Sequence, residues 1–429
     1  MVIYGICYLV SFFLARAGFY VPSGLALLAA ALWLYVSDYR RFGSPIHLRA
    51  LFSLFWVGGQ GLACFKLSSL QSDWTLMSWV CFALAFVGFW AVFEVMNSYF
   101  GSGHDRYGRW RSFSGNAVPV FHMICGLTVL SAAAFIVEAV VLGYVPLFVR
   151  GVPHAYSEFH LTGLHYITVS CVLVPSLAVL YFHMARGRQS ERRAAAVLVL
   201  SVISLLIPIL CVSRFQFVFA VVLAVFTYIS LQKTFQPLYL AGVMGALVFV
   251  YLILTVARSH DAAYLNGIFE MKHEAIPVFI SQPYIYITNN YDNFNCMVEV
   301  LPEHTLGLKG LFPLWALTGL KFFFPQLISF LIYVDKKELT TLTMFYDAYY
   351  DFGWIGVLFF SCLLGFVAYL LVVKLREMRN PLGFLLYAQM AFYLMLSFFT
   401  TWFSNTTTWF YLILTGLMAL YYNLNAHRR

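Results

Sequence analysis

The sequence predicts an all-α polytopic membrane protein with about 12 transmembrane helices. The 429 residues are 62% hydrophobic and 10% charged, and their mean hydropathy is +0.81. Soluble domains carry roughly 25% charged residues, so a water-soluble globule of this composition would expose a largely apolar surface. The apolar residues form long unbroken runs, which favour membrane helices over barrel strands, because a helix satisfies its own backbone polar groups in lipid.

Twelve apolar runs reach or approach the roughly 20 residues that a transmembrane helix needs. The first run is short and is expected to be retained, since it lacks the basic region and the small-residue cleavage site of a signal peptide. The runs cover residues 2–16, 20–37, 50–68, 75–98, 117–143, 164–184, 195–212, 215–232, 237–256, 353–374, 383–402 and 409–425.

The positions of the basic residues predict the orientation of these helices. With both termini in the cytoplasm, most of the 26 Lys and Arg residues fall in short cytoplasmic loops, as the positive-inside rule requires. The opposite orientation would place every basic cluster outside. The net charge of +8 is therefore interpreted as a membrane-topology signal, and no nucleic-acid partner is expected.

One long loop divides the chain into three parts. Residues 1–257 hold helices 1–9 with a short external segment at 144–164, residues 258–352 form a long external, periplasmic loop, and residues 353–429 hold helices 10–12. Loops of this length are usually functional. Within the loop, the apolar stretch at 311–333 is interrupted by a lysine and a proline. It predicts interfacial helices, and a hairpin that crosses the membrane is the alternative.

Three arginines border the external ends of predicted helices and are candidates for binding an anion. Arg150 follows PLFV in the short external segment, Arg214 lies in the external turn VSRFQF, and Arg258 lies in TVARSHD at the start of the long loop. An arginine at the membrane is costly and needs a reason; a snorkelling interfacial side chain is the alternative. Because guanidinium groups bind diphosphates bidentately and keep their charge at low dielectric, a lipid-linked diphosphate is the expected ligand.

Candidates for acid–base chemistry lie at both ends of the long loop. His260 and Asp261 follow Arg258 closely, and an imidazole beside a carboxylate can take a proton from a hydroxyl; a solvated helix cap is the alternative. Asp347 and Asp351 are four residues apart, so they share a face if the segment is helical. The alternative for this pair is an acidic first helical turn that interacts with the helix dipole.

Aromatic residues next to acids predict glycan binding, because rings stack on the apolar faces of pyranoses while carboxylates accept their hydroxyl groups. Tyr346 and Tyr350 flank the two acids at the end of the loop, and Tyr291 and Asp292 lie in the similar stretch YITNNYDNFN. Glu138 lies inside the fifth predicted helix. An acid within the membrane is a functional candidate, and pairing with an external arginine is the alternative explanation.

No metal or cofactor is expected from the sequence. The eight cysteines have no metal-ligand spacing and are interpreted as small apolar residues of the helices. The chain contains no Walker loop, no dinucleotide fingerprint and no HExxH motif. Without a soluble cytoplasmic domain to bind a nucleotide sugar, any glycosyl donor is expected to come from the membrane or the external side.

Four patterns occur in a distinctive order between about residues 140 and 420: PLF before Arg150, Ser213 and Arg214 between two helices, Arg258 at the loop opening, and TLG followed by Y-D-x-x-x-D-F-G-x-x-G before the tenth helix. Together they resemble the O-antigen (Wzy-type) polysaccharide polymerases. The resemblance implies a helical bundle related to the GT-C glycosyltransferases. It also implies a location in the bacterial cytoplasmic (inner) membrane, with the active site outside.

The resemblance further implies metal-independent transfer of a glycan from undecaprenyl diphosphate to a lipid-linked repeat unit. Arg214 and Arg258 would hold the diphosphate, with Arg150 as a third candidate, and a chain-length regulator is a candidate partner. One feature departs from the family. The related O-antigen ligases, and some polymerases, have a histidine about a dozen residues before the glycine that opens the tenth helix, where this chain has the sequence TLT at 341–343. The base therefore stays open among the four candidates above.

Two other functions remain open at this stage. An O-antigen ligase has the same general shape but needs a lipid A core acceptor. A transporter or flippase of lipid-linked glycan belongs to a different class. The segment GSGHDRYGRWR at 101–111 resembles a loop of major facilitator transporters. However, it follows the fourth helix and has no second copy, so it is interpreted as an ordinary cytoplasmic loop.

Overall fold

The computed structural model describes residues 1–100, 115–149, 155–185, 190–232, 245, 262–273, 276–375 and 378–425. These residues are predominantly helical, and among them only an isolated bridge between Ser68 and Met271 has a β pairing. The all-α class is therefore confirmed for the described part of the chain.

Seven described helices are long and apolar enough to cross a membrane. Their bounds are Tyr20–Phe42, Leu76–Phe100, Val118–Leu142, Leu164–Met184, Glu191–Leu210, Arg214–Leu231 and Tyr346–Leu375. The helices Val2–Arg16 and Leu382–Met395 are apolar but shorter, and the predicted run at 237–256 lies outside the described residues except for residue 245. An α-helical membrane protein is thus supported, whereas the count of 12 and the orientation stay predictions.

The chain divides into two compact units, which combine segments that are distant in sequence. The first unit consists of Met1–Gly108, Asp261–Lys374 and Tyr393–Trp409. The second unit consists of Arg109–His260, Leu375–Phe392 and Phe410–Arg429.

In the first unit, the predicted run at 50–68 is helical only as far as Ala63. Helical structure extends from Leu48–Phe52 through a π-helical turn to Gly58–Ala63. The chain then turns at Lys66, whose φ is +52°. Close packing explains the glycines here: a Cβ on Gly24 would lie 2.5 Å from the carbonyl oxygen of Gly61. The loop that follows contributes polar side chains to the interior of this unit.

The long loop contains one helix that the hydropathy pattern does not predict. Val278–Val300 has 23 residues, and more than half of them are buried, including many polar ones. The apolar stretch at 311–333 forms only the short helices Phe312–Leu317 and Leu320–Phe323 and a 3-10 turn. None of these is long enough to cross a bilayer, and Phe323 is 79% exposed. This arrangement favours the interfacial interpretation over the membrane-crossing hairpin.

The last helix of the first unit, Tyr346–Leu375, is kinked. Phe352 and Gly353 leave the helical region, and Gly353 has φ of +62° and ψ of −150°. Only glycine adopts this conformation readily. The kink coincides with residue 353, where the tenth membrane helix is predicted to begin. The turn Tyr346–Asp351 consequently precedes the apolar part of the helix.

A buried charge network also lies in the first unit. Arg49, which falls in a predicted cytoplasmic segment, is only 1% exposed and donates to Asp38 through Nε and Nη2 at 2.8 and 2.5 Å. It also donates to Glu94, which pairs with Arg41 at 3.0 Å. Glu94 is therefore not a simple interfacial acid, because it balances two cations. Such a network is structural in the first instance, since isolated buried charges are costly.

The second unit contains four of the seven long apolar helices, Val118–Leu142, Leu164–Met184, Glu191–Leu210 and Arg214–Leu231. Hydroxyl groups connect them: Thr128 and Ser204 lie 3.0 Å apart, and Ser131 donates to the carbonyl of Ile167. Interhelical bonds of this kind are common in membrane bundles. The predicted tight turn before Arg214 is present, with Val212 at φ of +54°.

Candidate functional site

Four of the predicted site residues, Arg150, Arg258, His260 and Asp261, lie outside the described residues. Of the predicted diphosphate ligands, only Arg214 is therefore placed. It is the first residue of the helix Arg214–Leu231, and it is 7% exposed. A snorkelling arginine extends toward water, so the burial of this side chain does not fit that alternative.

Four other predicted residues come together around a lysine that the sequence analysis did not single out. We call Lys309, Tyr346, Asp347, Tyr350 and Asp351 the lysine cluster. The Lys309 Nζ lies 3.8 Å from Asp347 Oδ1, and 4.0 and 5.5 Å from the ring centroids of Tyr350 and Tyr346. The expected proximity of the two acids is found, and a cation–π contact adds to it.

Burial and the nearby acids have opposite effects on the pKa of the Lys309 ammonium group. Burial lowers its pKa below the ordinary value, while the carboxylates of Asp347 and Asp351 act in the opposite direction. The sequence signal was available, since Lys309 stands alone between glycines in the apolar segment LGLKG. A lone lysine in such a segment needs a buried acidic partner, but the sequence does not say which one.

Asp351 binds residues 305–310 of the long loop to the turn Tyr346–Asp351, which precedes the kink at Gly353. Its carboxylate accepts hydrogen bonds from the Thr305 hydroxyl, from the Lys309 N–H at 3.1 Å and from the Gly310 N–H at 2.7 Å. The Leu306 N–H bonds to its carbonyl oxygen. Three donors occupy most of the acceptor capacity of a carboxylate, so this geometry favours a structural role over that of a general base.

Asp347 differs from its neighbour in that one of its two carboxylate oxygens lacks a donor, although the carboxylate also interacts with the Ser404 and Thr401 hydroxyls. Its side chain is buried, yet within the described part of the chain Oδ1 accepts no hydrogen bond. The Lys309 Nζ at 3.8 Å is near enough for electrostatic attraction but too far for a hydrogen bond. A buried polar atom without a partner is unusual and needs an explanation.

An apolar cavity of about 270 Å³ borders the cluster, with Asp351 in its wall. Most of the lining is aromatic or aliphatic, and Gly307 and Gly310 of the long loop form part of the wall. Besides Asp351, the hydrogen-bonding groups in the wall are the Ser404 hydroxyl and the Trp409 indole N–H. The cavity thus offers a large apolar surface next to a charged cluster.

The two tyrosines of the cluster are not open stacking platforms. Tyr346 is fully buried, and its hydroxyl exchanges hydrogen bonds with the backbone of Tyr333 at 2.9 Å. The ring of Tyr350 stacks near Tyr333, with centroids 6.0 Å apart, and is 4% exposed. Both rings are covered by protein, because the long loop packs over them. The expected glycan stacking is not available in this arrangement.

Tyr291 and Asp292, predicted to bind glycan, instead lie in the interior. The Asp292 carboxylate accepts from Lys66 Nζ at 3.2 Å, Trp74 Nε1 at 2.8 Å and Gln71 Nε2 at 3.1 Å. Burial raises its pKa, and these partners oppose that shift. We call these four residues the aspartate tether. Tyr291 donates to a backbone carbonyl and is also buried, so both predicted ligands hold the helix Val278–Val300 in place.

Glu138, in the second unit, has a partner that the sequence analysis did not name. Both carboxylate oxygens lie within hydrogen-bond distance of Nδ1 of His165, at 3.1 and 3.2 Å. The suggested external arginine is thus not the partner found among the described residues. No periodic pattern links positions 138 and 165, and only the fold brings them together.

The described ranges contain no group of three or more His, Cys, Asp or Glu side chains placed to hold a metal ion. Comparison with known proteins adds nothing further: no family model, curated protein or solved structure matches the chain. The relation to the O-antigen polymerases accordingly stays a prediction from sequence motifs. The chemistry of the described residues is the remaining guide to function.

Proposed function

We propose that this chain is a polysaccharide polymerase of the O-antigen type, a metal-independent glycosyltransferase of the bacterial cytoplasmic membrane. It would transfer a growing glycan from undecaprenyl diphosphate to a lipid-linked repeat unit on the external face. The observation that carries the proposal is the lysine cluster beside an apolar cavity, in a protein with several membrane-spanning helices.

This pairing matches the chemistry of the substrate. A lipid-linked glycan has an isoprenoid chain, a diphosphate and a series of hydroxyl groups, so its site must offer apolar surface next to polar groups. The cavity wall provides the apolar surface, including Phe359, Phe360 and Phe403. Asp347 supplies an oxygen that lacks a donor. A substrate hydroxyl that reached the cluster would provide that donor.

Arg214 is assigned the role of binding the diphosphate as it leaves. Negative charge grows on the diphosphate as the glycosidic bond breaks, and a guanidinium group stabilises that charge without losing its own proton. Its burial strengthens the interaction, because electrostatic attraction increases as water is excluded. Arg258 and Arg150 keep the same assignment from the sequence motifs.

The proposal is tested with purified full-length protein reconstituted in lipid vesicles. The substrate is undecaprenyl-diphosphate-linked repeat units extracted from cells of the source organism that lack this gene, with no energy source added. The expected products are longer lipid-linked glycans and free undecaprenyl diphosphate. A transporter would leave the length of the glycan unchanged, and a ligase would need lipid A core before any transfer occurred.

The matched variants are Arg214→Ala and Arg16→Ala. Arg16 is exposed at the end of the helix Val2–Arg16 and serves as the control for loss of an arginine. Arg214→Ala is expected to reduce polymer formation at least about 100-fold, the size of effect seen when one donor to a developing anion is removed, and Arg16→Ala is expected to have no effect. Equal polymer lengths from wild type and Arg214→Ala would refute the assignment of Arg214, and absence of polymer from wild type would refute the function.

A further inference from the structure

A buried carboxylate and a partly exposed histidine form a pair in the second unit that the proposed chemistry has not yet used. Glu138, on the helix Val118–Leu142, is fully buried, and His165 is about one-third exposed. Besides His165, the carboxylate accepts from the Leu161 N–H at 3.0 Å and from the Thr168 hydroxyl at 2.7 Å. We call Glu138 and His165 the histidine pair.

The hydrogen bonds determine which nitrogen of His165 carries the proton. The Leu161 N–H and the Thr168 hydroxyl both donate to the Glu138 carboxylate and stabilise its ionised form, and an ionised carboxylate can only accept. Nδ1 of His165 must therefore donate to Glu138. In the neutral ring this leaves Nε2 as an acceptor, an assignment that follows from the bonding pattern.

Nε2 is the atom that makes this pair different from an ordinary buried contact. Within the described part of the chain, no hydrogen bond to Nε2 of His165 is found, and the side chain reaches the surface. A base must be oriented by one neighbour and open on its other side, and this is the arrangement of base and orienting acid in many enzymes. By contrast, the acids of the lysine cluster are both buried.

We infer that His165 is the general base of the glycosyl transfer and that Glu138 is the residue that positions it. This inference rests on the proposed function and names the base that the sequence left open. Nε2 would accept the proton of the acceptor hydroxyl as its oxygen bonds to the anomeric carbon of the donor. The bond from that carbon to the phosphate oxygen breaks, and the diphosphate leaves with the electron pair. The imidazolium, stabilised by Glu138, then returns the proton to water.

The competing explanation is that the pair only ties the external segment around residues 159–168 to the helix Val118–Leu142. Two substitutions at one position separate these explanations. His165→Asn can keep a donor near the position of Nδ1, and so retain the tie to Glu138, but it has no equivalent of Nε2. His165→Ala removes both and leaves space in which free imidazole can act as a replacement base.

The experiment uses the full-length protein and the vesicle assay described above. The control is His273→Ala, since His273 is an exposed histidine of the long loop in the first unit. His165→Asn is expected to fold as wild type does and to lose at least about 100-fold in polymerisation rate, the contribution typical of a general base. For His165→Ala, added imidazole is expected to restore part of the lost rate. His273→Ala is expected to keep the wild-type rate.

Each result has a distinct meaning. A folded His165→Asn protein with wild-type activity would overturn the assignment of the base and leave the proposed function intact. Loss of activity in His165→Ala that imidazole does not relieve, together with an active His165→Asn, would identify the pair as a tether only. Absence of polymer from wild type would overturn the proposed function, and the base with it.

Discussion

Two buried aspartates of the first unit, Asp292 and Asp347, differ in how completely their carboxylate oxygens are hydrogen-bonded. Asp292 accepts three hydrogen bonds, one of which comes from the Lys66 ammonium group at 3.2 Å. The Oδ1 of Asp347 accepts none from the described residues, and its lysine stays at 3.8 Å. Burial costs a carboxylate much of its hydration energy, which hydrogen bonds must replace. A saturated acid therefore indicates a structural role, and an unsaturated one indicates a place where a ligand can bind.

The largest effect is expected where the saturated acid is removed. Asp292→Ala leaves Lys66 charged and buried without its partner, which costs about 3–5 kcal/mol of the free energy of unfolding. Thermal unfolding of the purified protein in detergent measures the loss. The matched control is the double replacement Lys66→Met with Asp292→Leu, which removes both charges and should recover most of the stability. Equal unfolding of the Asp292→Ala protein and wild type would show that the tether contributes nothing.

Replacing Asp347 should reduce the activity of the protein more than its stability. Asp347→Asn keeps the shape of the side chain but weakens a hydrogen bond from a substrate hydroxyl, and a bond to a charged group contributes about 1.5–3 kcal/mol. We expect polymer formation to fall roughly 10- to 100-fold, with a smaller loss of stability than for Asp292→Ala. The control is Glu303→Gln, an exposed acid of the same loop. A stability loss in Asp347→Asn equal to that of Asp292→Ala would remove the distinction.

An intermediate effect is expected at Asp351, which is saturated but holds only a short piece of loop. Asp351→Ala leaves the N–H groups of Lys309 and Gly310 without their acceptor, at a cost of about 1–3 kcal/mol. Amide hydrogen exchange over residues 305–310 should become faster. Thr305→Val removes one donor instead of the acceptor and should give a smaller change. Unchanged exchange in Asp351→Ala would mean that other contacts hold the loop.

The smallest effect is expected at Lys321, the lysine of the interfacial stretch. Its Nζ lies 5.2 Å from the centroid of the Phe322 ring, and no ion pair with an acid is found among the described residues. Lys321→Ala should therefore change the free energy of unfolding by less than about 0.5 kcal/mol. Polymer length should stay at the wild-type value. If Lys321→Ala instead impaired polymerisation, the contrast between buried paired lysines and surface lysines of this loop would fail.

The comparison also shows how much of the site could be predicted. Asp347 and Asp292 have similar sequence surroundings, with a tyrosine immediately before each acid, and both were predicted to act in the site, Asp347 as a candidate base and Asp292 as a glycan ligand. The difference between them comes from partners far away in sequence. Lys66 is 226 positions from Asp292, and no local pattern connects them. The helix Val278–Val300 was missed because its buried face is polar and therefore gives no hydropathy signal.

The sequence by itself determined the all-α membrane class, because hydrophobic runs of this length have few alternatives in lipid. It also located the tight turn before Arg214 and the beginning of an apolar run at Gly353, where the helix Tyr346–Leu375 is kinked and a positive φ requires glycine. Only the tertiary structure decided which charges meet. Glu138 with His165, Lys309 with Asp347 and Lys66 with Asp292 each join separate segments, since a buried charge is satisfied by whichever partner the fold brings within a few ångströms.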